Sequence, residues 1–276
     1  ASQAIYGARA NGGVILVTTK RGKEGSASVS YKFKGGANFA RTGYDYLNAH
    51  DYIYYNRLGY QRTGRSGMDN QMGYGIGNDL FDIRYLDDST KGLLAEGWQQ
   101  MQDPTDPNKQ ILFKDYSGQM KDAAFQDPSF TQDHYINITG GNDKGTFAAS
   151  LGYYKEDGLI KGTSYERFSG TFNGSYKIFP ILTVNAGTTY TWSRQPGLWI
   201  GSYEFFYRTM SQRPTWNPYM EDGSPASGFG TGDGNPLYYK DKLTNTNGTR
   251  RSTYNIGFDL EIIPKKLILK ENSALY

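Results

Sequence analysis

Phe168-Ser-Gly-Thr-Phe-Asn-Gly-Ser-Tyr-Lys-Ile178, then Phe179-Pro-Ile181, then Leu182-Thr-Val-Asn-Ala-Gly-Thr-Thr-Tyr-Thr-Trp192: two arms of alternating sequence flank a short proline-containing break. Every second residue of the first arm reads Phe168, Gly170, Phe172, Gly174, Tyr176, Ile178, with Ser169, Thr171, Asn173, Ser175 and Lys177 between them. The second arm gives Leu182, Val184, Ala186, Thr188, Tyr190 and Trp192 against Thr183, Asn185, Gly187, Thr189, Thr191 and Ser193. Successive side chains of a strand point to opposite faces, so period-two alternation across a tight turn predicts an antiparallel hairpin. Strands in soluble proteins run to about 5–6 residues, whereas a tilted strand crossing a bilayer needs about 9–11. Both arms reach the longer figure. One face carries aromatics towards its ends and the other has no aliphatic residue, a division that suits lipid outside and a polar lumen inside. On this hairpin alone, a long hairpin of a soluble β-sandwich fits as well.

Composition removes several alternatives. The 276 residues include 24 Tyr, 14 Phe and 35 Gly but are only 37% hydrophobic. A β-barrel exposes alternate residues to lipid, so such polarity is compatible with a membrane location. No run approaches the roughly 18 apolar residues of a membrane-spanning helix. A net charge of +3 from dispersed basic residues gives no nucleic-acid footprint. Zero cysteines exclude disulfides, thiolate chemistry and cysteine metal sites. The chain starts at Ala1 without an initiator Met or signal peptide and stops at Tyr276 inside a strand-like run, which reads as an internal portion of a longer protein. Such a portion, with two open sheet edges, is expected not to form a stable soluble monomer.

In chain order, Ser2–Tyr6 reads as a helical turn, Gly7–Gly13 as a glycine-rich loop, and Val14–Val17 as a strand covered on both faces. Helix, loop, strand is the reverse of the order a phosphate loop needs. Val29, Tyr31 and Phe33 alternate with Ser28, Ser30, Lys32 and Lys34 in a first barrel strand. A long polar and aromatic connection follows over 41–133, within which Asn48 caps a helix that Gly59 is expected to close. Further strands are predicted near 134–140, 145–155, 252–262 and 267–276, the last with neither face clean. Long or medium connections (41–133, 156–166, 194–251) alternate with short ones (140–145, 179–181, 263–266). Up-and-down outer-membrane barrels sort their loops this way, with short turns on the periplasmic side and long loops outside, and a sandwich has no reason to. The predicted fold class is therefore all-β: an antiparallel up-and-down transmembrane barrel, represented by about seven strands in one meander. Phe168, Phe172, Tyr176, Leu182, Val184, Tyr190, Ile256, Phe258 and Leu260 should share its outward face.

The opening run Ala1-Ser-Gln-Ala-Ile-Tyr-Gly-Ala-Arg-Ala-Asn-Gly-Gly-Val-Ile-Leu-Val-Thr-Thr-Lys-Arg-Gly22 resembles the end of the plug domain in SusC/RagA-type TonB-dependent outer-membrane transporters. Ile136–Phe168 is similar to the family's first hairpin and following loop, and Arg213–Tyr219, Glu221–Gly223 and Asn235-Pro236 look like its third loop. The likeness covers most of the chain, with Gly59–Gln126 divergent and Asn11-Gly12-Gly13 carrying one glycine more than is usual. It implies a plug end over 1–24, whose Ile5, Tyr6, Gly7, Arg9, Asn11, Gly12 and Gly13 are structural, and the first barrel strands with their extracellular loops over 25–276. It also implies energy-coupled import of an oligomeric nutrient, a glycan or a peptide, in the outer membrane of a Gram-negative bacterium. The implied partners are a SusD-like surface lipoprotein and the TonB-ExbB-ExbD system, reached through a segment absent here. A soluble carbohydrate-binding β-sandwich and a siderophore-type TonB-dependent receptor are the alternatives; Ile5-Tyr6-Gly7 and Lys20-Arg21-Gly22 favour the glycan type.

Nothing points to an enzyme. His50 and His134 are far apart without zinc-site spacing, and no Gly-x-Ser-x-Gly occurs. No cofactor is implied, except that Asp87-Asp88 with Asp79 and Asp82 could hold Ca2+ with loop carbonyls; a solvated acidic loop is the plainer reading. Trp199, Tyr203, Trp216 and Tyr219 are the candidate ligand contacts, since aromatic faces beside Asn, Asp and Arg suit sugar or peptide recognition. The plainer reading is that the same residues pack the loop onto the plug and its neighbours, since large aromatics dominate any buried surface.

Overall fold

The computed structural model describes residues 22, 24–41, 45–65, 73–76, 79–229, 233–240, 242–243 and 245–276. The plug-end residues Ile5, Tyr6, Gly7, Arg9, Asn11, Gly12 and Gly13, and the strand expected over Val14–Val17, lie outside them. In chain order the elements are β1 (Gly25–Asn38), α1 (Ala49–Thr63), β2 (Gly73–Ile76), β3 (Asp79–Tyr85), β4 (Gln99–Gln102), β5 (Gln110–Phe113), α2 (Gln119–Ala124), β6 (Ser129–Gly141), β7 (Gly145–Asp157), β8 (Ser164–Phe179) and β9 (Leu182–Gly197). They continue with α3 (Ser202–Met210), the two-residue β10 (Gly228–Phe229) and β11 (Asp233–Gly234), α4 (Pro236–Lys240), β12 (Asn245–Ile263) and β13 (Leu267–Leu275).

Seven long strands form one antiparallel sheet in sequence order, β1-β6-β7-β8-β9-β12-β13, with β1 and β13 as open edges. This is the expected meander, an unclosed segment of barrel wall. Residues directly opposite one another share a face, so the register assigns every side chain. Val29 lies opposite Ile138, Ile138 opposite Ala149, and Ala149 opposite Phe172. Phe172 in turn faces Thr188, and Thr188 faces Tyr254. All nine residues expected on the outward face fall on this apolar side. They are joined there by Tyr31, Phe33, Ile136, Phe147, Leu151 and Tyr153. Instead of forming a core, these side chains are exposed or half-exposed, Val29 by 68%, Phe33 by 57%, Tyr176 by 56% and Ile256 by 62%. An exposed apolar face of this breadth requires a non-aqueous neighbour. The opposite face is built from Ser, Thr, Asn, Gly and charged residues with Tyr135, Tyr154 and Tyr165, and Ile268 beside the last turn is its one aliphatic side chain larger than Ala among the described residues.

β13 departs from the clean pattern. Lys270 reaches Asp259 on the polar face at 3.4 Å, while Glu271 and Ser273 fall on the apolar face opposite Phe258 and Ile256. His134 also sits on the apolar face. There the Tyr31 hydroxyl lies 2.7 Å from its Nδ1 and Gln132 Oε1 lies 3.3 Å from its Nε2, so neighbours supply the hydrogen bonds that lipid cannot.

The buried core lies at the long-loop end. The connection between β1 and β6 is not bare loop: α1 packs on a small sheet of order β2-β3-β5-β4, burying Ala49, Ile53, Ile83, Met101, Ile111 and Phe113. Asn48 caps α1 as expected, accepting from the Asp51 amide at 2.8 Å. The helix does not stop at Gly59. It runs to Thr63 and ends at Gly64 (φ 62°), because only there does the backbone take the left-handed turn that sends the Gly64 and Arg65 amides back to Gln61 and Tyr60. A second cluster joins the two long connections, with Met120 and Ala124 of α2 against Leu198, Phe205 of α3 and Leu237 of α4. The medium connection between β7 and β8 docks beneath it, Lys161 N–H donating to the Ala124 carbonyl at 2.9 Å and Gln126 N–H to Leu159 at 2.7 Å. Three separate loops thus form one folded cap over one end of the wall.

Candidate functional site

Where the first and last of these loops meet they leave a cleft of about 340 Å3, lined by Tyr46, Leu47, Tyr52 and Tyr116 from one and by Met210, Gln212, Arg213 and Trp216 from the other. Its walls are fixed by contacts across the two loops. The Tyr46 hydroxyl donates to Met210 Sδ at 2.6 Å, and the Tyr116 N–H donates to the Pro214 carbonyl at 2.7 Å. The Arg213 guanidinium stands 4.9 Å over the Trp216 ring centre, a cation–π arrangement. Burial pushes the Tyr52 phenol pKa up, and the Arg213 charge opposes only part of that. Neither histidine lines the cleft. Aromatic faces beside a guanidinium, an amide and Lys121 are equipped for stacking and hydrogen bonding to a polar ligand.

The structure does not bring the four sequence-derived candidates together. Trp216 alone lines this cleft, and it is buried. Trp199 packs against Tyr239, ring centres 4.9 Å apart, and beneath Arg208. Tyr219 packs on the cluster around Phe205. Tyr203, at the start of α3, is 80% exposed and clear of the cleft. The cleft residues that sequence reasoning missed, Tyr46, Tyr52 and Tyr116, come from the other loop. Tyr46 and Met210 are 164 positions apart, and no periodicity reports such a meeting.

The acidic loop is internally satisfied. Asp87 accepts from the Ser89 hydroxyl and from the Ser89 and Thr90 amides, and the Ser89 bonds foremost hold its carboxyl below the usual range. Asp88 pairs with Lys91 at 2.8 Å. The side chains of Asp79 and Asp82 lie outside the described set, and among the described residues no three acidic or histidine groups converge.

The polar wall below the cap offers a second surface. Its lower part, near the short turns, is a hollow lined by Asn173, Asn185, Asn255 and Asn272 with the Asp259–Lys270 pair. Its upper part holds Lys32, Lys34, Asp133, Tyr135, Tyr154 and Arg167 around a second hollow.

No protein-family profile matches the chain. It is 26% identical over 213 residues to TonB-dependent receptor P39 of Formosa agariphila, a match covering 77% of this chain and 17% of that protein. It is 30% identical over 173 residues to TonB-dependent receptor SusC of Bacteroides thetaiotaomicron, covering 62% of this chain and 12% of that one. The chain thus spans less than a fifth of either relative. Its fold superposes on the RagAB peptide importer in the closed-closed state with a TM-score of 0.66, and in the open-open state with 0.67. Each superposition is at 19% identity and covers 98% or 99% of this chain and 30% of the solved one. In sequence over most of its length, and in the fold of its open two-faced meander, the chain is thus similar to SusC/RagA-type TonB-dependent transporters.

Proposed function

We propose that the protein imports an oligomeric nutrient, a glycan, across the outer membrane of a Gram-negative bacterium, driven through TonB-ExbB-ExbD and assisted by a SusD-like surface lipoprotein. The observation that carries this reading is the two-faced wall: an apolar face exposed through all seven strands for lipid, and a hydroxyl- and amide-rich face for a water-filled path. Sugar hydroxyls both donate and accept hydrogen bonds, and so do the Ser, Thr and Asn groups along that path. The cap cleft bounded by Tyr46, Arg213 and Trp216 is the proposed point of first contact with cargo. The protein does no chemistry on what it carries.

A peptide cargo is the second reading, favoured by the fold match to RagAB, described as a peptide importer. Uptake settles the choice. Cells in which the full-length protein is the sole candidate importer should accumulate labelled oligosaccharides, but not labelled peptides, and only while TonB is intact. TonB-independent uptake would overturn the energy coupling, and uptake of peptides alone would overturn the glycan assignment. Tyr46→Ala, at a partly exposed cleft position, should weaken uptake without changing the amount of protein in the membrane.

A further inference from the structure

The upper part of the polar wall carries a charge arrangement that a path for neutral cargo does not need. Adjacent strands lie about 4.8 Å apart, so the register places side chains in rows. One row runs Lys34, Asp133, Tyr154, Arg167; the row below it runs Lys32, Tyr135, Gly152, Ser169, Thr191, Arg251. Lys32, Lys34, Asp133, Tyr135, Gly152 and Arg167 border one hollow of about 290 Å3. The missing side chain at Gly152 keeps it open, since a Cβ there would come within 2.7 Å of Ser169 Oγ.

Cations exceed anions in this hollow. Lys32, Lys34 and Arg167 face one carboxylate, Asp133, and among the described residues none of the three cations has a carboxylate within 4.0 Å. Glu156, at the hollow's edge, is engaged by the Tyr154 hydroxyl at 2.6 Å, and Arg167 lies over the Tyr154 ring at 5.6 Å. Lower on the same wall, among the described residues, Asp259 pairs with Lys270 at 3.4 Å. Unmatched cations gathered in a hollow of the wall concentrate anions there.

We infer that this hollow is a lumen-side subsite for the carboxylates of an acidic oligosaccharide, with Lys32, Lys34 and Arg167 as its cations. This rests on the glycan-import reading above and narrows its cargo to uronic-acid-containing chains. Tyr135, Ser169 and Thr191 supply hydroxyls for the sugar ring, and the described wall around them has no aliphatic pocket of the kind that would retain apolar peptide side chains.

The test is calorimetric binding of oligogalacturonate, and of the same oligomer fully methyl-esterified, to the purified full-length transporter. The free acid should bind about tenfold or more tightly than the ester, because charge-assisted hydrogen bonds to carboxylate are lost on esterification. The preference should shrink as salt is raised and vanish in Lys34→Gln/Arg167→Gln. It should survive in the charge-keeping Lys34→Arg/Arg167→Lys and in Lys177→Gln, which lies on the same face near a short turn. Equal binding of acid and ester by the native protein, or an unchanged preference in the neutralised variant, would overturn the subsite while leaving glycan import standing. Equal competition by oligoglutamate would overturn the restriction to sugars. Failure of both oligomers to bind, alongside binding of a neutral oligosaccharide, would overturn the subsite alone; failure of every saccharide would overturn the import reading as well.

Discussion

Arg57 of α1 and Asp103 at the end of β4, 46 positions apart, meet as a two-pronged ion pair with almost no solvent exposure. Arg57 Nε lies 3.1 Å from one carboxylate oxygen and Nη2 lies 2.6 Å from the other. Nη2 also donates to the Tyr85 hydroxyl at 2.7 Å, and Asp103 accepts from the Thr105 amide and hydroxyl at 2.8 and 2.7 Å. Burial is the largest influence on the Asp103 carboxyl and would raise its pKa, yet the hydrogen bonds from Arg57 and Thr105 together hold it below the usual range. The pair fastens the helix of the cap to its small sheet.

Removing one partner leaves the other charged, buried and unmatched. Arg57→Met or Asp103→Asn should cost the cap about 3–5 kcal/mol, whereas replacing both with apolar residues should cost less. Hydrogen exchange on the full-length protein should show the amides of 49–63 and 99–113 opening while the wall strands keep their protection. The pH dependence follows from the lowered folded pKa of Asp103. The pair's contribution is fully present above the ordinary carboxylate value of about 3.9, and it is lost as pH falls through the lower folded value. Cap protection that is unchanged on acidification through this range would contradict the assignment.

Facing assignments on the wall predict opposite outcomes for neighbouring residues. Val184 lies on the apolar face opposite Tyr176 and Phe258, and Thr183 lies on the polar face opposite Lys177 and Asp259. Val184→Arg should destabilise the folded protein in a bilayer by about 2–4 kcal/mol at mid-height. Thr183→Arg should be nearly neutral. Denaturant titration into lipid vesicles measures both, and equal effects would mean that the faces are misassigned.

The wall was legible in the sequence because a strand repeats every second residue and each arm was long enough to display the alternation. Even β13, where Glu271 and Ser273 interrupt the apolar face, was anchored by the short turn before it. The cap was not legible beyond α1 and its Asn48 cap. β2 to β5 run 4–7 residues, and Ile111-Leu112-Phe113 is an unalternating apolar run that periodicity alone does not assign. The helix overran Gly59 because packing of Ile53 and the Arg57–Asp103 pair outweighs the roughly 1 kcal/mol cost of an internal glycine. The candidate aromatics were found as a composition. Whether each one packs or faces solvent was decided by partners distant in sequence, Tyr239 for Trp199 and the cluster of Met120, Ala124 and Phe205 for Tyr219, and local sequence carries no record of that.

Close approach of β12 to β13 separates two glycines of the polar wall. A Cβ at Gly257 would lie 2.4 Å from the Glu271 carbonyl oxygen, which is backbone and cannot move without displacing β13. A Cβ at Gly187 would meet the Asn173 side-chain oxygen at 2.6 Å, the free end of a rotatable amide. Gly257→Ala should therefore cost about 1–3 kcal/mol by overpacking, and Gly187→Ala much less. Paired thermal melts in detergent give the comparison, and a more damaging Gly187 variant would show that the wall relaxes where the register says it should not.

Phe205 of α3 is fully buried where α2 of the first long loop meets α3 and α4 of the last, and Met120, Ala124, Leu198 and Leu237 surround it. This cluster, together with the Tyr46–Met210 and Tyr116–Pro214 bonds, sets the shape of the cleft between the loops. Phe205→Ala removes a ring from a site whose neighbours belong to separate chain segments. Its cost should reach the usual range of about 3–5 kcal/mol for a buried Phe, and it should fall on the docking of the loops to one another. The wall strands make their own ladders independently of Phe205, so the variant should still insert in the membrane and keep its strand protection. Limited proteolysis of intact cells should then cut within 198–229, and uptake should fall with the loss of the cleft. Cleavage confined to the first loop, or loss of the protein from the membrane, would mean that the cap and wall fold as one unit and that the cleft is not a separable element.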